Sequence, residues 1–357
     1  MRLRDTSEGE LLARIFPIYA GSGHVDEASV PVGPGDDAAV VGAPGGTVVA
    51  TTDSMVRGLD WRDDWSSAHD VGVKLAAQNL ADIAAMGAEP TALLVSLAAD
   101  PDLQVSWAED LARGIASLAS RAGAPVVGGD LSGAPAGVVV VSVTALGDLR
   151  GRAPVRRCGA RPGDVIAVCG SLGLSGGGLA LLHRGEGTLS DAVWDEPGCS
   201  DGGGRGSDAG SSRSAAVREL VTYHRAPVPP WQAGPRAGAC GARALIDVSD
   251  GLVTDLTRIA RASEVGIDLD GTVLRERFAA GSLTVALGER EAWHQVLTGG
   301  EEHSLVGAFA GEASLPPDTD RPWVVIGRVL PLGSGGPHLT VDGEVPGDAK
   351  GWDHFAR

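Results

Sequence analysis

Apolar residues at Leu11, Leu12, Ile15, Phe16 and Ile18 recur at helical spacing and predict an opening helix over 7–19. β-Branched or alternating runs predict strands at 38–41, 47–52, 91–97, 125–127 and 137–146, with helical patterns at 69–86 and 105–122. Strand and helix therefore mix within the first half, the mark of an α/β or α+β domain. The Pro/Gly/Arg-rich stretch RGRAPVRRCGARPGD (150–164) predicts a boundary between a domain over 1–150 and a second over 151–357.

The second domain is expected to open with a strand (164–170), a glycine-rich turn and a helix through GLALLHRG. A strand, turn, helix, strand series follows in ALIDVSDGLVTDLTRIARASEVGIDLD, and WVVIGRVL (323–330) precedes the tail GWDHFAR. Between them, 186–215 is low in complexity and lacks any period. It cannot bury enough apolar area to offset its ordering entropy, so a flexible insert is expected there.

Composition narrows the function classes. Hydrophobic residues make up 43% of 357 residues and charged ones 21%, which suits a globular chain with a real core. A formal charge of -17 argues against nucleic-acid binding, which needs clustered Lys and Arg. Cys158, Cys169, Cys199 and Cys240 form no CxxC pair, so neither a zinc site nor a disulfide framework is expected, and a reducing cytoplasm is the default location. No apolar run approaches the roughly 18 residues of a membrane span, and the acidic N-terminus does not read as a signal peptide.

Acids then stand out by position. Asp or Glu sits beside glycine or hydroxyl residues in GPGDDAAVV (33–41), TTDS (51–54), VVGGDLSG (126–133), IDVSDGL (246–252) and TGGEEHSL (298–305). Each alone is ordinary turn chemistry. Asp82 differs, lying in an Ala-rich helical pattern on one side with Asn79 and Met86; that side is either solvent-exposed or met by a cation or hydrogen-bond donors. Together these acids suit Mg²⁺, which takes oxygen ligands and is commonly shared with substrate phosphates. GSLGLSGGGLALL (170–182) would place N–H groups at a helix N-terminus, either as an anion site or as a glycine turn for close packing. No Walker A, GxGxxG, kinase HRD/DFG, GxSxG or HExxH pattern is present. Ser249-Asp250 before LVTDLTRIA is open to reading as a helix N-cap, and His303 as a surface or packing residue.

In order and separation, GDDAAVV, TTD, NLADIAAMGA, GGD, RxGARPGD, DVSDGL and GGEEH resemble the thiamine-monophosphate kinase family, relatives of aminoimidazole ribonucleotide synthetase and selenophosphate synthetase. The resemblance runs from about residue 8 to GWDHF, interrupted mainly by the 186–215 insert. It implies a two-domain ATP-binding fold whose N-terminal sheet pairs across a homodimer, with ATP and several Mg²⁺ as cofactors. By matching positions, it implies Asp37, Thr51, Thr52, Asp53, Asp82, Asp130, Asp247 and Asp250 as metal residues. Gly129, Asp130, Arg157 and Ser249 match ATP contacts; Arg157 is preferred to Arg156 because it directly precedes CGA. Glu301 and Trp352 match positions facing thiamine phosphate.

The implied reaction is direct, in-line transfer of the γ-phosphoryl group of ATP to thiamine monophosphate. It needs positioning and charge neutralisation rather than a covalent or general-base residue. Two departures fall on the acceptor side. Asp60-Trp61 replaces the family's usual His-Phe, and GGEEHSL stands for GGEDYEL. Asp60 favours an alternative, a divergent ATP-dependent paralogue with another acceptor. The intact Asp53, Asp82 and Asp130 weigh against a non-catalytic relative.

Overall fold

The computed structural model describes residues 1–20, 29–31, 39–189, 208–317 and 321–347. The chain forms two compact units, Met1–Arg156 with Pro229–Leu245, and Arg157–Val228 with Ile246–Arg357.

The first unit runs α1 (Glu8–Ala20), β1 (Val49–Val56), α2 (Ala68–Ala85), β2 (Glu89–Ala99), α3 (Val105–Ala122), β3 (Val126–Gly133) and β4 (Val139–Asp148). The pattern-based elements are present, but β1 and β3 extend past their predicted ends. Of the predicted 38–41 run, the described residues hold only an isolated bridge at Val40. The sheet order is β1-β4-β2-β3, with β2 and β3 parallel and the other pairs antiparallel.

Alternation along the strands decides the faces. Met55, Val95, Leu97, Val141, Val143 and Ala145 are buried on the face that carries α2. Full burial of a valine contributes about 1.5–3 kcal/mol, so this face anchors the unit. A capping box starts α2: the Ser67 Oγ accepts from the Asp70 N–H, and the Asp70 carboxylate accepts from the Ser67 N–H. α2 and α3 meet closely at Gly114, where a Cβ would lie 2.1 Å from the His69 carbonyl oxygen. On the opposite face, Val30, Ala39 and Val41 cover one end, packing on Ala92, Leu94, Val127 and Leu146. The middle of that face is polar, with the Ser54 and Ser142 hydroxyls 2.6 Å apart and Thr144 donating to Thr52 at 3.0 Å, and the Val56–Val140 pair lies beyond it.

A seven-residue helix from the second half of the chain, α6 (Ala233–Ala239), belongs to the first unit. A Cβ on Gly234 would lie 2.0 Å from the Ala84 carbonyl oxygen, and this glycine lets α6 close on α2.

The second unit contains β5 (Val165–Cys169), α4 (Leu174–His183), α5 (Asp208–Arg225), β6 (Ala244–Asp247), α7 (Leu252–Ser263) and β7 (Gly266–Leu269). It continues with α8 (Gly271–Leu274), α9 (Ser282–Leu287), α10 (Glu289–Thr298), β8 (Leu305–Phe309), β9 (Val324–Leu330) and β10 (His338–Val341). The mixed sheet runs β10-β7-β9-β5-β8-β6, and the unit boundary falls inside β6. The predicted flexible stretch is corrected at both ends. α5 is helical from Asp208, and Arg213 donates to the Glu186 carboxylate at 2.7 and 3.1 Å; residues 190–207 lie outside the described residues.

Candidate functional site

In the first unit the TTD triplet lies in the middle of β1, not at a strand end as its sequence suggested, because β1 continues to Val56 against β4. Period-2 alternation then splits the triplet. Thr51 and Asp53 share the face beneath α2, where the Thr51 hydroxyl donates to the Asp82 carboxylate at 2.7 Å. Thr52 points the other way, donating to the Val143 carbonyl at 3.1 Å and accepting from Thr144. Asp82 is half-buried in α2, so the choice between a solvent face and a met carboxylate resolves toward a partnered one.

Asp130 is likewise inside β3 rather than after it. Its register partner is Ser96, which pairs with Ser142, which pairs with Ser54. Asp130 therefore lies on the polar face with Thr52, opposite Thr51 and Asp53, and its exposed carboxylate accepts from the Ser132 hydroxyl at 2.8 Å. Gly129 lets β3 approach β2: a Cβ there would lie 1.9 Å from the Val95 carbonyl oxygen.

Asp60 has a backbone partner, its carboxylate accepting from the Val56 N–H at 2.7 Å and closing the turn after β1. Trp61 is buried and stacks on Trp107 with centroids 6.1 Å apart. Asp37 and Trp352 lie outside the described residues.

In the second unit the structure joins DVSDG to GGEEHS. Ser304 accepts from the Val248 N–H at 2.8 Å, Val248 from the His303 N–H at 2.8 Å, and Ser249 from the Glu301 N–H at 2.7 Å. The imidazole of His303 is buried with its Nδ1 3.2 Å from the Asp247 carboxylate, so His303 is a packing partner of an acid rather than a surface residue.

Ser249 and Asp250 do not cap α7. Gly251 holds the N-cap position, and one oxygen of Asp255 accepts from the Ser249 N–H (3.1 Å) and the Asp250 N–H (3.0 Å). Arg258 clasps Asp255 and Asp250 together. Burial and the neighbouring Asp247 charge push the Asp255 carboxyl up to about 7, against the pull of the Asp250 N–H and Arg258. Sequence reasoning missed Asp255 and Arg258. Their i, i+3 spacing in VTDLTRIA was visible, but their turning back to the preceding loop was not. Arg157 is exposed, with its carbonyl accepting from the Ser263 hydroxyl at 3.0 Å.

The glycines here serve close packing. In the turn before α4 a Cβ on Gly173 would lie 2.9 Å from the Gln295 carbonyl carbon; within α4 a Cβ on Gly178 would lie 2.2 Å from the Leu220 carbonyl oxygen of α5, and the Ser175 N–H donates to the Glu302 carboxylate at 3.0 Å. The protein's own acid thus takes up an N–H at that helix start. Glu302 is fully buried, and burial raises its pKa. The extra methylene relative to aspartate gives the carboxylate added reach toward α4.

Among the described residues, no three His, Cys, Asp or Glu side chains converge on a metal position. The donors present still fit Mg²⁺ in kind. They are carboxylate and hydroxyl oxygens, grouped as Thr51–Asp82 and Asp130–Ser132, which leave coordination positions for phosphate and water.

Residues 35–149 match the family described as AIR synthase related protein, N-terminal domain. With its two sheets and flanking helices, the molecule is a mixed α/β protein whose residues 35–149 carry the AIR-synthase-related N-terminal domain. The thiamine-monophosphate kinase of Mycobacterium tuberculosis is 42% identical over 334 residues, covering 93% of this chain and 88% of that protein. The crystal structure of thiamine-monophosphate kinase from Stenotrophomonas maltophilia K279a is 30% identical with a TM-score of 0.75, over 95% of this chain and 98% of that one. A structure of AaThiL complexed with AMPPCP and TMP is 26% identical with a TM-score of 0.70, over 99% of both chains. The chain belongs to the thiamine-monophosphate kinase family.

Proposed function

We propose that this protein phosphorylates thiamine monophosphate to thiamine diphosphate with ATP. The observation that carries the reading is the 42% identity to a thiamine-monophosphate kinase over 93% of the chain, spanning both units. The bound AMPPCP and TMP of the structural relative supply the matching ligand pair.

In this reading Asp82, oriented by Thr51, would hold Mg²⁺ with Asp53, and Asp130 serves a separate position on the other sheet face, which Thr52 shares from the opposite edge strand. Asp37, Asp247 and Asp250 complete the acidic set, while Gly129, Ser249 and Arg157 serve ATP. Bound Mg²⁺ supplies neutralisation of phosphate charge during in-line transfer. Arg157 adds an exposed guanidinium for phosphate oxygens. The acceptor phosphate is largely ionised near neutral pH, so no residue is needed as a general base. Glu301 and Trp352 belong to the acceptor side.

A homodimer is part of the same proposal. Its support is the four-stranded sheet, whose face opposite α2 leaves Thr52, Ser54 and Asp130 exposed. Sedimentation at micromolar concentration should give twice the chain mass of 36.2 kDa. A cytoplasmic location fits Cys158, Cys169 and Cys240, none of which is in a disulfide, and the lack of any membrane-spanning helix among the described residues.

The test is an assay of the purified chain with ATP, Mg²⁺ and thiamine monophosphate, resolving thiamine diphosphate chromatographically. Product that requires all three components is expected. ATP binding without product would refute the acceptor assignment.

A further inference from the structure

Glu301 is the described acceptor-side residue in the second unit, and a buried polar chain stands behind it. Its backbone has φ 56°, the left-handed region that non-glycine residues adopt only when the surroundings enforce it. The enforcement on one side is the 2.7 Å bond from its N–H to Ser249. On the other side its Oε2 lies 3.5 Å from Nδ1 of His224, in the last turn of α5.

His224 is 5% exposed, and the same Nδ1 lies 3.1 Å from Oγ of the fully buried Ser175 in the first turn of α4. The Ser175 N–H meets Glu302, and the Tyr223 hydroxyl donates to the Glu302 carbonyl at 3.2 Å. Groups from α4, α5 and the loop before β8 therefore form one network that ends at the half-buried Glu301 carboxylate.

We infer that His224, fixed by Ser175, is a positioning residue for the acceptor. It holds the Glu301 carboxylate in one orientation before the ligand arrives, and so lowers the ordering cost of binding. Thiamine monophosphate carries a thiazolium cation and an amino group, both of which a preset carboxylate attracts. The inference rests on the kinase reading and deepens it, because it assigns part of the acceptor affinity to a residue that is 77 positions away in sequence (301 minus 224).

A double-mutant cycle tests it on the full chain: wild type, His224→Leu, Glu301→Gln and the double variant, with KM measured for both substrates and melting temperatures recorded. His224→Leu is expected to raise KM for thiamine monophosphate about tenfold while leaving KM for ATP within about twofold. The double variant should be no worse than Glu301→Gln alone, since both remove one interaction. His224→Asn, whose amide can stand near the Nδ1 position, should recover part of the loss. Multiplying effects in the double variant, or an equal rise in both KM values, overturns the inference. If His224→Leu does not fold, Ser175→Ala takes its place, with a smaller rise in the same KM expected and no change counting against the idea. A wild-type protein that makes no thiamine diphosphate overturns the kinase reading itself, which separates the two failures.

Discussion

The Thr51 hydroxyl donates to the Asp82 carboxylate at 2.7 Å, tying the first residue of the TTD triplet to the last turn of α2 across 31 residues of sequence. That bond sets the direction of a carboxylate proposed to hold Mg²⁺. Asp82→Asn removes the charge and should lower kcat at least about 100-fold with the melting temperature nearly unchanged. Thr51→Val keeps the shape and loses the donor. A hydrogen bond to a charged group contributes about 1.5–3 kcal/mol, and 1.4 kcal/mol is about tenfold in rate or affinity. Thr51→Val should therefore raise the Mg²⁺ concentration needed for half-maximal rate by about tenfold. Initial rates across a Mg²⁺ titration check both variants.

Gly129→Ala should act on the sheet as well as on the ATP contact proposed for this residue. The added Cβ would sit 1.9 Å from the Val95 carbonyl oxygen, and a main-chain atom paired in a ladder has little room to yield. Overpacking of this kind costs about 1–3 kcal/mol. A urea melt should show a loss in that range, and activity should fall with it because Asp130 is the next residue on β3.

Asp255 predicts a pH dependence in the metal-free protein. Its carboxyl titrates near about 7 in the folded chain, against a reference value of 3.8. The folded state thus holds the proton more tightly than the unfolded state. Stability contributed by the protonated group is present at acid pH and is lost as pH rises between these values, levelling above about 7. Asp255→Asn retains an oxygen for the Ser249 and Asp250 N–H groups but cannot ionise. Its stability curve should be flatter across that window. An equally steep decline in the variant would move the effect to another buried acid, with Glu302 the next candidate.

Asp60 was the sequence feature that favoured a different acceptor. The structure gives its carboxylate a local task, accepting from the Val56 N–H at 2.7 Å. Asp60→Ala should cost about 1 kcal/mol of stability, the net worth of a typical hydrogen bond. KM for thiamine monophosphate should stay within about twofold in Asp60→Ala and in Asp60→His. A marked fall in KM with histidine would place this residue against the acceptor instead.

Much of the fold was legible because it rests on local periodicity. α2 and α3 carry helical patterns, and β4 alternates Val139, Val141 and Val143 inward with Val140, Ser142 and Thr144 outward. What sequence could not convey was facing. TTD looked like one ledge, yet a period of two puts Thr52 and Asp130 on the face opposite Thr51 and Asp53. α5 escaped notice because it starts in the polar run DAGSSRS and owes its place to packing on α4 and α9. The Ser175–His224–Glu301 chain was invisible for a different reason: its members come from separate elements, and only the close approach of α4 to α5 at Gly178 brings them together.

In the proposed reaction a phosphoryl group passes directly from ATP to the phosphate of thiamine monophosphate. Phosphorus-31 NMR of a single incubation with ATP labelled at its γ-phosphate with ¹⁸O follows that group. Direct transfer places the label in the terminal phosphate of thiamine diphosphate, with ADP formed in equal amount. Label released as inorganic phosphate, or retained on the protein, would contradict it.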